Sequence, residues 1–242
     1  MVRSFAMSQA LRKPRGNRLL GSLAREDRNY LASVSRIEHA PQGLVLSSRS
    51  EPGAEVWFPH TGAIALTATD ETGRSVQTGV VGREGCVGVD ALFGPSPALS
   101  DATMQVEGEI SVIPATQFRT AIDARPQVQR ALSKFLHGLA AQSLQTIACN
   151  RLHSLHARCC RWLLTMQDTL ESDTIPLTQE DLATLLGSGR PRVNLLLAGL
   201  ERDGSLRRRR GRIELLTRTA LERDACECYR LVREMTEGLH ND

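Results

Sequence analysis

Arg190, Arg192 and Asn194 lie within five residues of one another, and Arg207 to Arg210 form an unbroken run with Arg212 just beyond. Arginine offers a planar fork of donors that fits guanine O6 and N7, and asparagine can pair in the same way with adenine N6 and N7. Clustered arginines at a turn supply the sequence-independent partner of that chemistry, cations laid against phosphate. Such groups need a helix end that reaches base edges and a loop that lies along a backbone. Both are written around them. Thr178 can cap a helix, with Asp181 three residues on. Leu182, Leu185 and Leu186 give that helix one apolar face, and Gly187 ends it. After Ser188-Gly189, Pro191 suits the first turn of a second helix, whose apolar positions are Val193, Leu196, Leu197 and Leu200. Asp203-Gly204 closes it. Two short helices joined through a glycine turn form a helix-turn-helix, and the second helix of that motif can enter a major groove. Leu206 and residues 213–215 are strand segments around the arginine tip, a basic wing.

This arrangement assigns Arg190, Arg192 and Asn194 to base edges. It assigns Thr178, Gln179, Ser188, Arg207, Arg208, Arg209, Arg210 and Arg212 to phosphate. The charge is local: residues 175–216 carry 8 Arg against 5 Asp/Glu, whereas residues 217–242 carry 4 against 6. The net charge of +3 over the whole chain would not by itself point to nucleic acid; its clustering does.

The 242 residues suffice for one large or two modest domains with a sizeable core, and 41% hydrophobic content is that of a globular protein. No apolar run is long enough to span a bilayer, and the basic N-terminus lacks the apolar segment of a signal peptide. These features predict a cytoplasmic protein with no membrane partner. Six cysteines without a scaffold rhythm are expected to be free thiols in such a compartment.

Residues 1–17 read as a mobile leader and residues 19–31 as a short helix. From about residue 37 to 113, short β-type runs (44–46, 56–58, 63–66, 76–81, 104–106 and 110–113) alternate with turn signals such as Glu51-Pro52-Gly53, Asp70-Glu71-Thr72-Gly73 and Gly94-Pro95. That texture predicts an antiparallel sandwich or barrel. Pro126 then starts a long helix reaching about His153. Val128, Leu132, Phe135, Leu139, Gln142 and Thr146 form one row along it, and Leu136, Ala140, Leu144 and Ile147 a second apolar row. A helix with two such rows needs two covering surfaces; one can be its own β domain and the other a second copy of the chain, the alternative being a helix buried within one domain. The first row is assigned to the dimer. Helices are also expected over residues 155–170 and 217–239.

The run Leu177 to Gly187 (L-T-Q-E-x-L-A-x-x-L-G) resembles the first motif helix of the Crp/Fnr superfamily of bacterial transcription regulators. The wing run Gly204 to Ile213 and the tail Cys226-Glu227-Cys228-Tyr229 are similar to a subgroup without an assigned nucleotide ligand, as are Phe58 to Gly62 and Val81 to Gly85. The resemblance reaches back to about Arg18. It implies an α+β chain made of a double-stranded β-helix (jelly roll) sensor domain over 18–125, a dimerisation helix over 126–154 and a winged helix-turn-helix over 155–242. It also implies a homodimer on a pseudo-palindrome in double-stranded DNA, with RNA polymerase as a further partner of an activator. The chain departs from the family where recognition helices carry S-R-E/T-T, having Gly189-Arg190-Pro191-Arg192, and Leu195 stands where a later polar contact falls. A ligand-sensing or partner-binding β-roll with a degenerate helix-turn-helix is the alternative reading.

Nucleotide-binding members of the superfamily hold the ribose and cyclic phosphate with a G-E-L-G run and a later R-S/T-A run. The counterparts here, Gly85-Cys86-Val87-Gly88 and Ser100-Asp101-Ala102, lack the carboxylate and the arginine. An anionic phosphate beside Asp101 without a cation is poorly held, so cyclic nucleotide is not expected. Any effector pocket would draw on Arg83, Glu84, Cys86 and Asp101. His153, His156, Cys159 and Cys160 have helical spacing that could gather metal or haem ligands, but the resemblance puts a hinge near Ser154 that splits the set. Cys226 and Cys228, on one helix, would point to different faces. Metal and haem are not expected. No Gly-x-Ser-x-Gly elbow, P-loop or His-Glu-x-x-His is present, and His39 and His60 are too far apart for a cupin-type metal centre, so no enzymatic activity is expected.

Overall fold

The computed structural model describes residues 16–49, 51, 53–93 and 98–238. Most of the expected leader and the Pro52 and Gly94-Pro95 turn positions lie outside the described residues. Asn17, placed in the leader by sequence, is a fixed point instead. Its side-chain oxygen accepts from the Leu20 N–H and caps helix α1 (Arg18–Gly21), while its amide donates to the carbonyls of Pro59 and Gly85 at 2.9 and 2.8 Å. A second helix, α2 (Arg25–Ser33), follows after a break at Gly21-Ser22, so the expected single helix is two.

Seven strands build the β domain: β1 (Arg36–Ala40), β2 (Val45–Ser47), β3 (Glu55–Pro59), β4 (Ala63–Thr69), β5 (Ser75–Val81), β6 (Asp101–Val106) and β7 (Gly108–Pro114). They pair antiparallel in two sheets, ordered β1-β7-β3 and β2-β6-β4-β5. The sandwich core holds Ile64, Val81, Met104, Ile110 and Val112, all fully buried. β1 carries no β-type patterning because it is an edge strand whose outer residues meet water.

His60 sits where β3 turns into β4. The Asn17 N–H donates to its Nδ1 at 3.0 Å, so its Nε2–H donates to Ser111 Oγ at 2.6 Å. Burial lowers the pKa of His60 below 6.5, and the Glu109 charge only partly opposes this. A histidine whose folded pKa is depressed binds its proton more readily in the unfolded chain. Stability is therefore whole above about pH 6.5 and falls as the pH drops through the folded value. The expected result is a lower urea midpoint at pH 5.5 than at pH 7.5, with that particular step absent in His60→Gln. An unchanged step in the variant assigns the acid sensitivity to other groups.

Helix α3 (Ala115–Ala124) leads to α4 (Pro126–Leu152), which starts with proline in its first turn. α4 lies along the β domain: Gln142 Oε1 accepts from the Val80 N–H at 2.8 Å, and the Phe135 ring fills the space beside Gly85, where a Cβ would collide with it. His153 leaves helical geometry, and Ser154 caps α5 (Leu155–Leu170). The remaining elements are β8 (Thr174–Ile175), α6 (Gln179–Leu185), α7 (Arg190–Arg202), β9 (Leu206–Arg209), β10 (Arg212–Leu215), α8 (Arg218–Asp224) and α9 (Cys228–Gly238). Residues 225–227 interrupt what the sequence suggests is one C-terminal helix. Leu163, Leu164, Met166, Ile175, Leu182, Val193, Leu197 and Leu200 form the core of this part, continuous with Ala63 and Val80 of the β domain. The Trp162 indole N–H donates to buried Gln77 across that junction. No helix of the described residues is long and apolar enough to cross a membrane.

The row Val128, Leu132, Phe135, Leu139, Gln142 and Thr146, assigned above to the dimer, faces the chain's own domain. Val128, Leu132 and Thr146 are buried within one chain, and Phe135 and Leu139 pack into the β-domain clusters. The second row is open along its C-terminal part, with Leu144 67% and Ile147 64% exposed, whereas Leu136 packs against the cluster around Val128 and Leu132. Sequence periodicity shows that two faces exist; only packing shows which is already covered.

Candidate nucleic-acid interface

Helix α6 begins in a full capping box. Thr178 Oγ1 accepts from the Asp181 N–H and donates to Asp181 Oδ2 at 2.7 Å, while Asp181 accepts from the Thr178 N–H. With that hydroxyl engaged by Asp181, Thr178 acts as the helix cap, at the edge of the groove described below. Gly187, with φ +59°, makes the turn, and the Ser188 N–H donates to Ala183 O at 2.9 Å. Gly189 caps α7, with Arg190 and Pro191 as its first two residues.

α7 buries Val193, Leu197 and Leu200 and exposes Arg190, Arg192 and Leu195, the last 73% accessible. Asn194 falls on the other side of this division. Its side-chain oxygen is shielded and without a hydrogen-bond partner among the described residues, so it does not present the two-point edge that adenine recognition needs. Asn194, one residue after Val193, is half-buried against the domain, whereas Arg192, one residue before it, faces out.

The wing follows period-two logic. β9 and β10 pair Leu215 with Leu206 and Ile213 with Arg208, which puts Arg208 on the core side. There its N–H and Nε–H donate to the two carboxylate oxygens of Glu201, each at 2.8 Å, and hold that carboxyl below the usual carboxylate range. Arg208 therefore ties the wing to α7, its charge engaged by Glu201, although it also lines the groove described next. Arg207, Arg209 and Arg212 project from the outer face around Glu214, at 3.7, 3.8 and 3.1 Å. Gly211, with φ +73°, closes the tip beside exposed Arg210. A groove runs between the start of α6, the start of α7 and this tip, lined by Gln179, Glu180, Arg190, Arg209, Arg210 and Arg212 among others. Arg190 reaches Glu180 across it at 3.5 Å. The groove is open and lined mainly by cations.

Two sequence profiles match this chain in series: the cyclic nucleotide-binding domain over residues 37–125 and the Crp-like helix-turn-helix domain over residues 157–224. The chain belongs to the Crp/Fnr superfamily. It is a DNA-binding transcription regulator of that type. Its relatives include the CRP-like cAMP-activated global transcriptional regulator of Mycobacterium tuberculosis, 24% identical over 174 residues, which span 69% of this chain and 78% of that protein. The fold is shared with FixK2 from Bradyrhizobium japonicum (19% identity, 80% of this chain and 98% of the other, TM-score 0.69). It is also shared with the c-di-GMP-responsive global regulator CLP of Xanthomonas campestris (17%, 80% and 99%, TM-score 0.66).

The residues proposed for an effector pocket do not converge in this Crp/Fnr chain. Arg83 ion-pairs with Glu171 at 3.0 Å, and Glu84 accepts from the Gly82 N–H at 2.7 Å. Cys86 is fully buried in an apolar cluster, and burial pushes its thiol pKa up. Asp101 accepts from the Arg49 N–H at 2.9 Å. Val81 pairs with Ile64, whereas Asp101 pairs with Thr67, three residues or about 10 Å further along β4. The two halves of the supposed pocket leave the sheet at separated points.

Proposed function

We propose that the protein is a homodimeric, sequence-specific regulator that reads double-stranded DNA with the exposed face of α7 and grips phosphate with the wing groove. The observation that carries this reading is the sorting of arginines: Arg192 stands out on the helix face, while Arg209, Arg210 and Arg212 line the groove beside it. In this reading Arg192 contacts guanine and Leu195 packs against a thymine methyl group, a partner that suits an exposed leucine in the major groove. Leu195 thus counts toward recognition and against the degenerate-motif alternative. Arg190, assigned above to a base edge, lines the groove with Glu180 at 3.5 Å and here joins Gln179, Ser188, Arg207, Arg209, Arg210 and Arg212 in positioning the backbone. The open Leu144–Ile147 stripe of α4 pairs with its copy, which sets two recognition helices about one turn, roughly 34 Å, apart on a pseudo-palindrome. The working division of the chain is a β-roll to residue 125, a dimer helix to 154 and the DNA-binding domain beyond.

The mycobacterial relative is described as cAMP-activated. The residues of this chain do not suit a cyclic nucleotide. No cation faces Asp101 in place of the missing arginine among the described residues, Arg83 is engaged by Glu171, and Phe135 occupies the space over Gly85. Control by another input, in the cytoplasm and through RNA polymerase where the protein activates, is the proposal that remains.

The test is retention of genomic DNA fragments at two salt concentrations, followed by sequencing. A two-fold symmetric motif with affinity falling steeply as salt rises is the expected result; retention without a motif would reduce the protein to a nonspecific binder. On the selected operator, Arg209→Ala should weaken specific and random duplexes alike. It should also flatten the slope of log affinity against log salt by about 2, one phosphate contact per subunit. An unchanged slope removes Arg209 from the phosphate set.

A further inference from the structure

The end of α4 and the start of α9 bring together four groups that no helical spacing in the sequence connects. Cys149 and His153 lie one turn apart at the end of α4. Cys226 lies in the break between α8 and α9, and Cys228 opens α9. Their donor atoms all fall within 4.8 Å of one another. Cys149 Sγ is 3.4 Å from Cys226 Sγ, and Cys228 Sγ is 3.5 Å from His153 Nδ1. A tetrahedral ion with metal–sulfur bonds of about 2.3 Å and metal–nitrogen bonds of about 2.0 Å has edges of roughly 3.5 to 3.8 Å. The Cys149–Cys226 and Cys228–His153 pairs already stand near that spacing, and the remaining separations, within 4.8 Å, need only a small contraction onto an ion.

We propose that Cys149, His153, Cys226 and Cys228 form a Cys3His site for a divalent transition metal of the zinc class.

The surroundings distinguish this from packed thiols. With His153 Nδ1 turned to the sulfurs, its Nε2 faces Glu227 Oε1 at 3.2 Å. A carboxylate behind a ligating histidine fixes the tautomer and raises the basicity of the ring, and it is the usual second partner in such sites. Gln145 Nε2–H donates to Cys228 Sγ at 3.0 Å, a bond that favours a thiolate over a thiol. Cys149 and Cys228 are fully buried and Cys226 nearly so, with Ala157 packed against them. A set of four protein ligands with its three sulfurs buried suits a structural ion and leaves no position for catalysis. Sequence reading misses the site because it treats residues 217–239 as one helix, on which Cys226 and Cys228 diverge. The break at residues 225–227 lets both sulfurs turn to one point.

The site joins the last turn of α4, the hinge at His153-Ser154 and the C-terminal helix. One turn beyond the hinge, Arg158 Nη2 donates to Leu186 O, at the end of the first motif helix, at 2.6 Å. An ion here therefore fixes the angle between the long helix and the DNA-binding domain.

The full chain, purified reduced and stripped of metal, is titrated anaerobically with Co2+. One Co2+ per chain is expected, with the visible bands of a tetrahedral ion and a thiolate charge-transfer band in the near ultraviolet, all abolished by one equivalent of Zn2+. Cys228→Ser should lose the charge-transfer intensity and the stoichiometry, and Cys86→Ala should keep both. Glu227→Gln, at an exposed side chain that does not threaten the fold, should weaken Co2+ affinity by about 10- to 100-fold. Several results would each overturn the proposal: no stoichiometric uptake by the folded reduced chain, an octahedral spectrum, or uptake unaffected by Cys228→Ser. A Cys149–Cys226 disulfide in protein isolated under anaerobic reducing conditions would do so as well.

Discussion

Leu144→Glu is expected to convert the proposed dimer to a monomer at concentrations where the unmodified chain associates. Leu144, Ile147 and, at the last position, Leu152 are the large apolar side chains left open on α4, while the row from Val128 to Thr146 is sealed against the chain's own domains. Covering a leucine completely stabilises by about 1.5–3 kcal/mol. A two-fold interface counts the position twice, so the loss is about 3–6 kcal/mol. That is roughly a hundred- to ten-thousand-fold rise in the dimer dissociation constant. The two introduced carboxylates would also face one another across the axis. Because Leu144 is exposed within one chain, the variant should fold normally, with unchanged circular dichroism and thermal midpoint at low concentration. Sedimentation equilibrium reads the outcome. Operator affinity should collapse towards that of a single half-site, since linkage of two recognition helices is lost. A variant that remains a dimer would place the interface elsewhere.

Arg192→Ala should cost about 1–3 kcal/mol of operator binding per half-site, or roughly 5- to 150-fold, while binding to random duplex falls far less. The argument rests on position and engagement. Arg192 lies in the first turn of α7, exposed, with no ion pair among the described residues. Arg208, by contrast, has the same chemistry but is held by Glu201 at 2.7 Å. Replacing Arg208 should therefore act first on the docking of the wing, seen as a lower thermal midpoint, and only through that on DNA. Competition binding with operator and random fragments at one fixed salt concentration separates the two. Equal losses on both DNAs for Arg192→Ala would make it a phosphate contact and leave Leu195 as the remaining reader on that face.

The helix-turn-helix was legible because its signals are local. A capping threonine with its carboxylate partner, leucines at helical spacing, a turn glycine and a proline in the first turn each act within a few residues, and the structure shows each one in that role. The β-roll was legible for a similar reason, through short β-type runs divided by turn residues, except at β1, which owes its place to pairing with β7. Family membership was likewise readable from the motifs around Leu177 and Gly204 and is shown by the two profiles in series.

What the sequence left open were questions of which side. Periodicity says that α4 has two faces, but the Val80 N–H bonded to Gln142 and the Phe135 ring against Gly85 decide which one is covered. Residue type says that Asn194 and Arg208 could touch DNA, but the packing of α7 shields the Asn194 side-chain oxygen and the pleat of β9 sets Arg208 against Glu201. The Cys149, His153, Cys226 and Cys228 cluster spans nearly eighty residues and depends on a helix break that composition does not announce. Sequence by itself fixes what each segment can form, because capping, turns and apolar spacing are short-range forces. Tertiary structure alone decides which surfaces and donors meet, because burial removes one side of every helix and strand from consideration.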